Sequence, residues 1–427
     1  MSDWQEVELG SLTEQNRAIT YGVVKPGDAP LVGGVKLVRG GDVLNGRISA
    51  ELRSIAEEVS APYRRTLLHG GELLMSLVGN PGAVAIAPPE LAGANLARQV
   101  ALIALRLDVD SRFVMYSLMA PSGKQSLAAI TKGSVQQVIN LADLKRVRLR
   151  LPPLETQRTI ASILRAYDDL IEVNRRRVAV LEEMARGLFE EWFVRFRFPG
   201  HETVEILDTP NGPLPEGWQN AIVSDVFSLG RGRSYKSSEL AESGGMPFVN
   251  LKCILRDGGF KASGLKRYTG DFKQGHVVSR GDIVMAVTDM TQERRIVGRV
   301  GRVPLLDEQA AVISMDLVKV LPASEINKAY LYCWLRYSDF GPTAARYANG
   351  ANVLHLSPKA IADLPFVLPS LAFAQKFGEV VEPLLELSEV LELTGQRLAA
   401  SRDLLLPRLI SGQLSVAIAE RELEEVA

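Results

Sequence analysis

The sequence is poor in the residues that usually announce a chemistry. Among 427 residues there are two cysteines, Cys253 and Cys333, far apart and outside any CxxC. That excludes a disulfide framework and a thiolate metal knuckle, and it makes a reducing compartment, the cytoplasm, the expected location. Four histidines, His69, His201, His276 and His355, are scattered without ligand spacing, so no metal site is expected. No hydrophobic run can cross a membrane: the longest stretch without a charge, Leu73 to Pro89, is broken by Gly79, Asn80, Pro81 and Gly82. Asp3, Glu6 and Glu8 near the start leave no apolar segment for a secretory signal. Catalytic signatures are missing too. Asn80-Pro81-Gly82 fails at two positions as the Asn-Pro-Pro-Tyr of an adenine methyltransferase. Ser122-Gly123-Lys124-Gln125-Ser126 resembles the tail of a phosphate loop, but Leu118 stands where its first glycine must be. There is no HExxH, no GxSxG elbow and no GxGxxG after a strand, so an intrinsic enzymatic site is not expected. An excess of one charge is also lacking: 49 basic residues face 50 acidic ones. That balance, taken whole, argues against a polyanionic partner.

What is present is a repeat. Trp4-Gln5 recurs as Trp218-Gln219, and Gly71-Glu72-Leu73-Leu74-Met75-Ser76 as Gly281-Asp282-Ile283-Val284-Met285-Ala286. Thr131-Lys132-Gly133-Ser134-Val135 is echoed by Ala348-Asn349-Gly350-Ala351-Asn352, and Leu151-Pro152-Pro153-Leu154 by Leu368-Pro369-Ser370-Leu371. Four matches in order at nearly one spacing indicate a duplication. Each copy opens with short strand-like runs punctuated by Gly and Pro. In the first half these are Val35–Val38, Leu73–Val78, Ala83–Ile86, Val100–Leu105 and Val147–Leu151. In the second they are Phe248–Leu251, Asp282–Val287, Ile296–Val300 and Val312–Val320. Phe113–Met119 and Ile326–Tyr337 read as helices. The pattern is α+β rather than a regular βαβ alternation.

Each copy then passes into a long helix. From Thr156 to about Phe193 there is no proline, and Ile160, Leu164, Tyr167, Ile171, Asn174, Val178, Leu181, Ala185, Leu188 and Trp192 step by four and three. This is a heptad seam, on a helix about 57 Å long at ~1.5 Å per residue. The second seam runs Val380, Leu384, Leu387, Leu391, Thr394, Leu398, Ser401 and Leu405, with Pro407 and Gly412 marking its end. Asn174 and Thr394 are the polar breaks that would fix register. The alternative is a heptad that merely packs on its own domain; a stripe this long exceeds what one small domain covers, which favours pairing of the two helices as an antiparallel coiled coil. Two similar globular domains would then be held apart, related by a pseudo-twofold axis. The segments are 1–151 and 214–369 for the globular domains, 152–213 for the central helical spacer and linker, and 370–427 for the distal helical spacer and tail.

Resolved by segment, the charge changes meaning. Residues 1–151 hold 17 basic and 14 acidic side chains, and 214–369 hold 19 and 15. Residues 152–213 hold 8 and 11, and 370–427 hold 5 and 10. Mildly basic globular parts alternate with acidic helical ones, which permits phosphate-facing domains on a neutral chain. Gly230-Arg231-Gly232-Arg233-Ser234-Tyr235-Lys236 is the clearest candidate loop, because it offers guanidinium forks, an aromatic ring and backbone N–H groups together. Arg294 and Arg295, Arg346, Asn349 and Asn352 complete the candidates of the second half. Their counterparts in the first half are Arg17, Tyr21 and Lys25, and the loop carrying Lys132, Ser134, Gln136 and Gln137. The same residue types also suit any solvated loop.

Together these features resemble the specificity subunit of type I restriction–modification systems. The resemblance rests on Leu151-Pro152-Pro153-Leu154-Glu155-Thr156-Gln157-Arg158, on Leu188-Phe189-Glu190-Glu191-Trp192-Phe193-Val194-Arg195-Phe196, and on Leu405-Leu406-Pro407-Arg408-Leu409-Ile410-Ser411-Gly412. It spans Trp4 to about Leu414. One departure is Leu371-Ala372-Phe373-Ala374-Gln375, which has one more residue before its glutamine than the first copy. The resemblance implies a non-catalytic DNA-binding subunit for host defence. Each target-recognition domain would read one half of an interrupted double-stranded target, and the helices would set the gap. It also implies two modification subunits that carry S-adenosylmethionine and methylate adenine at N6, with or without restriction subunits. No cofactor would bind this chain itself. A duplicated coiled-coil scaffold whose globular ends bind only proteins is the alternative.

Overall fold

The computed structural model describes residues 4–30, 33–133, 136–210 and 212–414. They form two compact units, one made from the first 171 residues with the chain from Gln396 onward, the other from Glu172–Gly395. In the first unit, strand Gln5–Glu8 pairs antiparallel with Arg148–Leu151, Gln5 opposite Leu151. A four-stranded sheet has the order Thr20–Tyr21, Val100–Ile103, Leu73–Ser76, Val84–Ile86. Its central strand is buried on both faces, and its two-residue alternation separates two cores. Leu73 and Met75 join a core with Phe113 and Leu164, whereas Leu74 joins Val38, Leu96 and Leu102.

The second unit repeats this plan. Gln219 pairs opposite Leu368, and the sheet order is Phe227–Arg231, Leu317–Pro322, Ile283–Ala286, Val300–Arg302. Ile283 and Met285 again face one core and Val284 and Ala286 the other. The echo between Gly71-Glu72 and Gly281-Asp282 has a physical cause. Each carboxylate is buried and closes the turn before the central strand. Glu72 accepts from the His69 and Gly70 N–H groups at 2.7 and 2.9 Å, and Asp282 accepts from the Ser279 N–H at 3.0 Å. The helices Ser111–Met119 and Lys328–Tyr337 are capped alike: Asp110 accepts from the Phe113 N–H at 2.9 Å and Asn327 from the Tyr330 N–H at 3.0 Å. Gln157 accepts from the Asp110 N–H at 2.9 Å, and Gln375 accepts from the Asn327 side-chain amide at 3.0 Å. The extra residue before Gln375 therefore leaves that glutamine at the same capping residue.

Two strand expectations need correction. Ile296–Val300 is not a strand; the strand is Val300–Arg302, because Gly298 turns the chain at φ +81°. Val312–Val320 is two strands, Ala310–Ile313 and Leu317–Pro322, in different sheets. The turn between them, Ser314 to Asp316, corresponds to Ala97 to Gln99 in the first half.

The central helix is Leu154–Phe189, continued by a π-helical turn over Glu190–Val194. Phe196 then takes a left-handed φ of 55° and Pro199-Gly200 ends the run. The distal helix is Leu371–Ile410. It continues past Pro407, which does not end it: near a C-terminus the one N–H that proline removes costs little of the ladder. Within each unit the two helix segments run antiparallel. In the first unit Arg150 donates to the Ser411 carbonyl at 3.4 Å, and further along Arg402 pairs with Asp168, which also accepts from Tyr116 at 2.6 Å. In the second unit the Trp192 and Phe373 rings lie 5.1 Å apart and Phe193 and Phe377 4.8 Å. Phe196, Phe198 and Trp218 extend that aromatic cluster, which explains the aromatic density of the Leu188–Phe198 segment.

Along the central helix Ile160, Leu164, Tyr167, Asn174, Ala185 and Trp192 are buried, and Ile171, Val178, Leu181 and Leu188 half-buried. The distal seam is corrected. Val380 and Leu387 are 42 and 49% exposed. Thr394 is exposed, its hydroxyl donating to its own helix at the Val390 carbonyl, and Ser401 is exposed too. Leu384, Leu391 and Leu398 are half-buried and Leu405 is buried. The buried stripe instead follows Ala374, Phe377, Val381, Leu385, Ser388 and Glu389. This face meets the globular part of the second unit as well as the central helix. Arg302, buried, pairs with Glu389 and Glu382, and Arg280 with Glu389 at 2.8 Å. Paired helices alone would impose the heptad step; a helix that also covers a domain presents a wider face.

Gly22 and Gly232 pass so close to the neighbouring turn that an added Cβ would lie 1.8 Å from the Leu96 carbonyl oxygen and 2.0 Å from that of Ser314. Alanine at either position is expected to cost about 1–3 kcal/mol or more by overpacking, read as a lower urea midpoint. Glu392 is half-buried, and desolvation together with the nearby Glu182 pushes its carboxyl up to about 7. Its folded pKa lies above the unfolded one, so the folded state holds the proton more tightly and stability falls as pH rises from about 4.5 to 7. Glu392→Gln is therefore expected to raise stability relative to the parent at pH 8 and much less at pH 4.5. An equal effect at both, measured by urea unfolding, contradicts this.

Candidate nucleic-acid interface

In each half, three loops meet at the far end of the central strand. In the first, the Leu77 N–H donates to the Gln99 carbonyl at 2.7 Å, and the Leu77 carbonyl accepts from the Ile139 N–H at 3.0 Å. In the second, the Val287 N–H donates to Asp316 at 3.0 Å, and its carbonyl accepts from the Leu356 N–H at 2.8 Å. The loop after the edge strand is tied in by the same pattern. Val23 N–H donates to Leu96 at 2.6 Å and Arg98 N–H to Val23 at 2.8 Å; Arg233 N–H donates to Ile313 at 2.7 Å and Met315 N–H to Arg233 at 2.8 Å. The third loop turns on Gly133 and Gly350, both at positive φ, each close against the carbonyl three residues on, Gln136 or Val353. Backbone bonds thus fix a set of loop ends in each half.

In the first half these loops border a cleft of about 600 Å³ lined by Tyr21, Arg39, Arg53, Arg98, Gln99, Gln136 and Asn140, among others. Of the residues singled out from the sequence, Tyr21 and Gln136 line this cleft, and Lys25 and Gln137 are exposed. Ser134 lies outside the described residues. Lys132 is exposed but paired with Asp143 at 2.7 Å, and that ammonium holds the Asp143 carboxyl below its ordinary range. Arg17 is corrected. Its guanidinium is used inside the domain, donating to Glu72 and to the Leu67 carbonyl at 3.0 Å each, with His69 at 3.1 Å.

In the second half Arg231 is exposed at the edge-strand end. Arg233 donates to the Tyr268 hydroxyl at 3.2 Å, and Tyr235 packs edge-on to Phe248 with centroids 4.8 Å apart, so both are partly structural. Lys236 is exposed, its backbone N–H donating to Glu239 at 2.6 Å. Arg294, with a left-handed φ of 55°, donates to the carbonyls of Arg346 and Ala348 at 3.3 Å, and Gln292 donates to Ala351 at 3.0 Å. These bonds bring Arg294, Arg346 and Asn349 together on one surface. Arg295 pairs with Glu293 at 2.8 Å, and Asn349 and Asn352 are exposed.

Sequence reasoning missed Arg39, Arg53, Arg98, Gln99 and Asn140. Arg39 is held by Asp42 at 3.0 Å, and Arg53 donates to the Gly27 carbonyl. Arg98 is exposed and has no side-chain partner among the described residues. The signal that could have found it is the repeat, because Arg98 aligns with Met315 in the turn that follows each short parallel strand.

Comparison with known proteins identifies the arrangement. The family described as the type I restriction modification DNA specificity domain matches residues 1–183 and again residues 215–398. The chain belongs to this family. Among its relatives is the MjaIX specificity subunit of Methanocaldococcus jannaschii, 25% identical over 374 residues, covering 86% of this chain and 83% of that one. The EcoBI specificity subunit of Escherichia coli is 30% identical over 205 residues, covering 44% of this chain and 43% of that one. The crystal structure of a type I S subunit from M. genitalium shares the fold, with a TM-score of 0.61 at 16% identity over 95% of this chain and 96% of that one. The chain is thus a non-catalytic specificity subunit with two target-recognition domains, one in each half. The structural and surface arginines should separate by stability. Arg17→Ala, which strands a buried Glu72, is expected to cost ~3 kcal/mol, while Arg231→Ala should stay within ~0.5 kcal/mol; urea unfolding of both decides.

Proposed function

We propose that each target-recognition domain reads one half of an interrupted DNA sequence through its three convergent loops, and that the helices set the gap. The observation that carries this is the duplicated loop cluster, built on the same backbone bonds in both halves but bearing different side chains. Phosphate contacts from exposed basic residues would give a salt-dependent share of the affinity, and base edges the specificity. The helices also dock two modification subunits that bring S-adenosylmethionine and methylate adenine at N6; a restriction subunit can join that core. The protein-only scaffold is set aside, since the family match covers both globular halves.

Mapping N6-methyladenine in the genomes of cells with and without the chain should return one bipartite motif with a fixed gap. Inserting four residues into both helices lengthens each by about 6 Å, roughly two base pairs at ~3.4 Å each. The expected result is a longer gap between unchanged half-sites; an unchanged gap rejects the helices as the ruler.

A further inference from the structure

The turns Ala97 to Gln99 and Ser314 to Asp316 are held by backbone bonds on two sides. Ala97 N–H donates to the Val38 carbonyl and Ser314 N–H to that of Val249, each at 2.9 Å. Arg98 and Met315, the next residues, each donate a backbone N–H to the edge loop at 2.8 Å, to Val23 and Arg233. Ala97 and Ser314 are buried, at 7 and 0% exposure, yet Arg98 is exposed and Met315 is 53% exposed. A rigid backbone thus holds one side chain outward at the same place in each half.

Beside each lies a second equivalent position on the edge strand. Tyr21 pairs opposite Ala101, and Arg231 opposite Val318. The first half therefore presents Tyr21 with Arg98, and the second Arg231 with Met315. Each has one guanidinium and one large apolar or aromatic body, with the places exchanged. Of the three arginines lining the first cleft, Arg39 and Arg53 have partners, and Arg98 alone has none among the described residues. A free guanidinium on a fixed turn can present two parallel donors without first breaking an ion pair. The base edge that matches two parallel donors is guanine, through O6 and N7. An exposed thioether gains by covering an apolar group, and the one a major groove offers is the thymine methyl.

We infer that Arg98 determines specificity in the first half by reading a guanine, that Arg231 takes this task in the second half, and that Met315, standing in the place of Arg98, packs on a thymine methyl. This rests on the DNA-reading function proposed above. The test maps N6-methyladenine motifs in cells producing the full chain with its modification subunits, as parent, Arg98→Ala, Arg98→Lys or Met315→Ala. Arg98→Ala should lower the preference for guanine at one position of one half-site about ten- to a hundredfold. The other half-site stays intact, which also reports that the chain is folded. Arg98→Lys should retain part of the preference. Met315→Ala should relax a thymine in the opposite half-site roughly fourfold, the worth of about one buried methyl. An unchanged motif with Arg98→Ala, or an even loss on all sequences with a shallower salt dependence, overturns the reading of Arg98 and leaves a bystander or a phosphate contact. An unchanged motif with Met315→Ala removes the methyl contact. A parent chain that yields no bipartite motif instead overturns the DNA-reading function itself.

Discussion

In each half a single residue at the end of the central strand, Leu77 or Val287, ties its neighbouring loops together through its own N–H and carbonyl. Nearly everything at the candidate interface depends on that junction. Because backbone groups anchor this junction, the outward side chains Tyr21, Arg98, Arg231 and Met315 can differ between copies. Tyr21 and Arg231, or Arg98 and Met315, occupy the same places with unrelated chemistry. A surface anchored by its own side chains would lose shape with every change of specificity. The glycines beside the junction belong to the same logic, since Gly22 and Gly232 let the edge loop lie directly on the turn it holds.

The basic side chains divide into two populations. Arg17, Arg39, Arg53, Arg233, Arg294, Arg295 and Lys132 are engaged within the protein by carboxylates, carbonyls or a phenol. Lys25, Arg98, Arg231 and Lys236 are left outward. The net positive charge of the globular segments therefore overstates what a ligand meets. Ion pairs such as that of Lys132 with Asp143 are exposed and contribute little to stability, whereas Arg17 with Glu72 closes the turn that starts the central strand.

The duplication, the α+β character and the long helices were legible in the sequence, because identical turn chemistry recurs at one spacing. Gly71-Glu72 and Gly281-Asp282 are the clearest case: both echo a buried carboxylate doing the same work. The seam of the distal helix was misread because leucines are so dense there that a heptad can be drawn through Val380, Leu387 and Leu391. Which stripe is buried was decided by Arg302 and by Trp192, Phe193 and Trp218, which lie far away in sequence. Among site residues, Gly230 to Lys236 stood out by composition. Arg98 did not, since a lone arginine between Ala97 and Gln99 has no local signature. Arg17 looked like a loop cation because its partner, Glu72, is more than fifty residues away.

Leu154–Phe189 and Leu371–Ile410 each contribute residues to both compact units, and this has a consequence for how the molecule is made. Leu405, Leu406, Leu409, Ile410 and Leu414 complete the hydrophobic core that also holds Leu9, Phe113 and Leu149. On the ribosome the first recognition domain emerges before the second, but the last wall of its core follows the whole of the second unit. The second unit, continuous from Glu172 to Gly395, has all its parts first. Domains generally fold as units in the order of synthesis; here the first half must wait for a segment made after the second is complete.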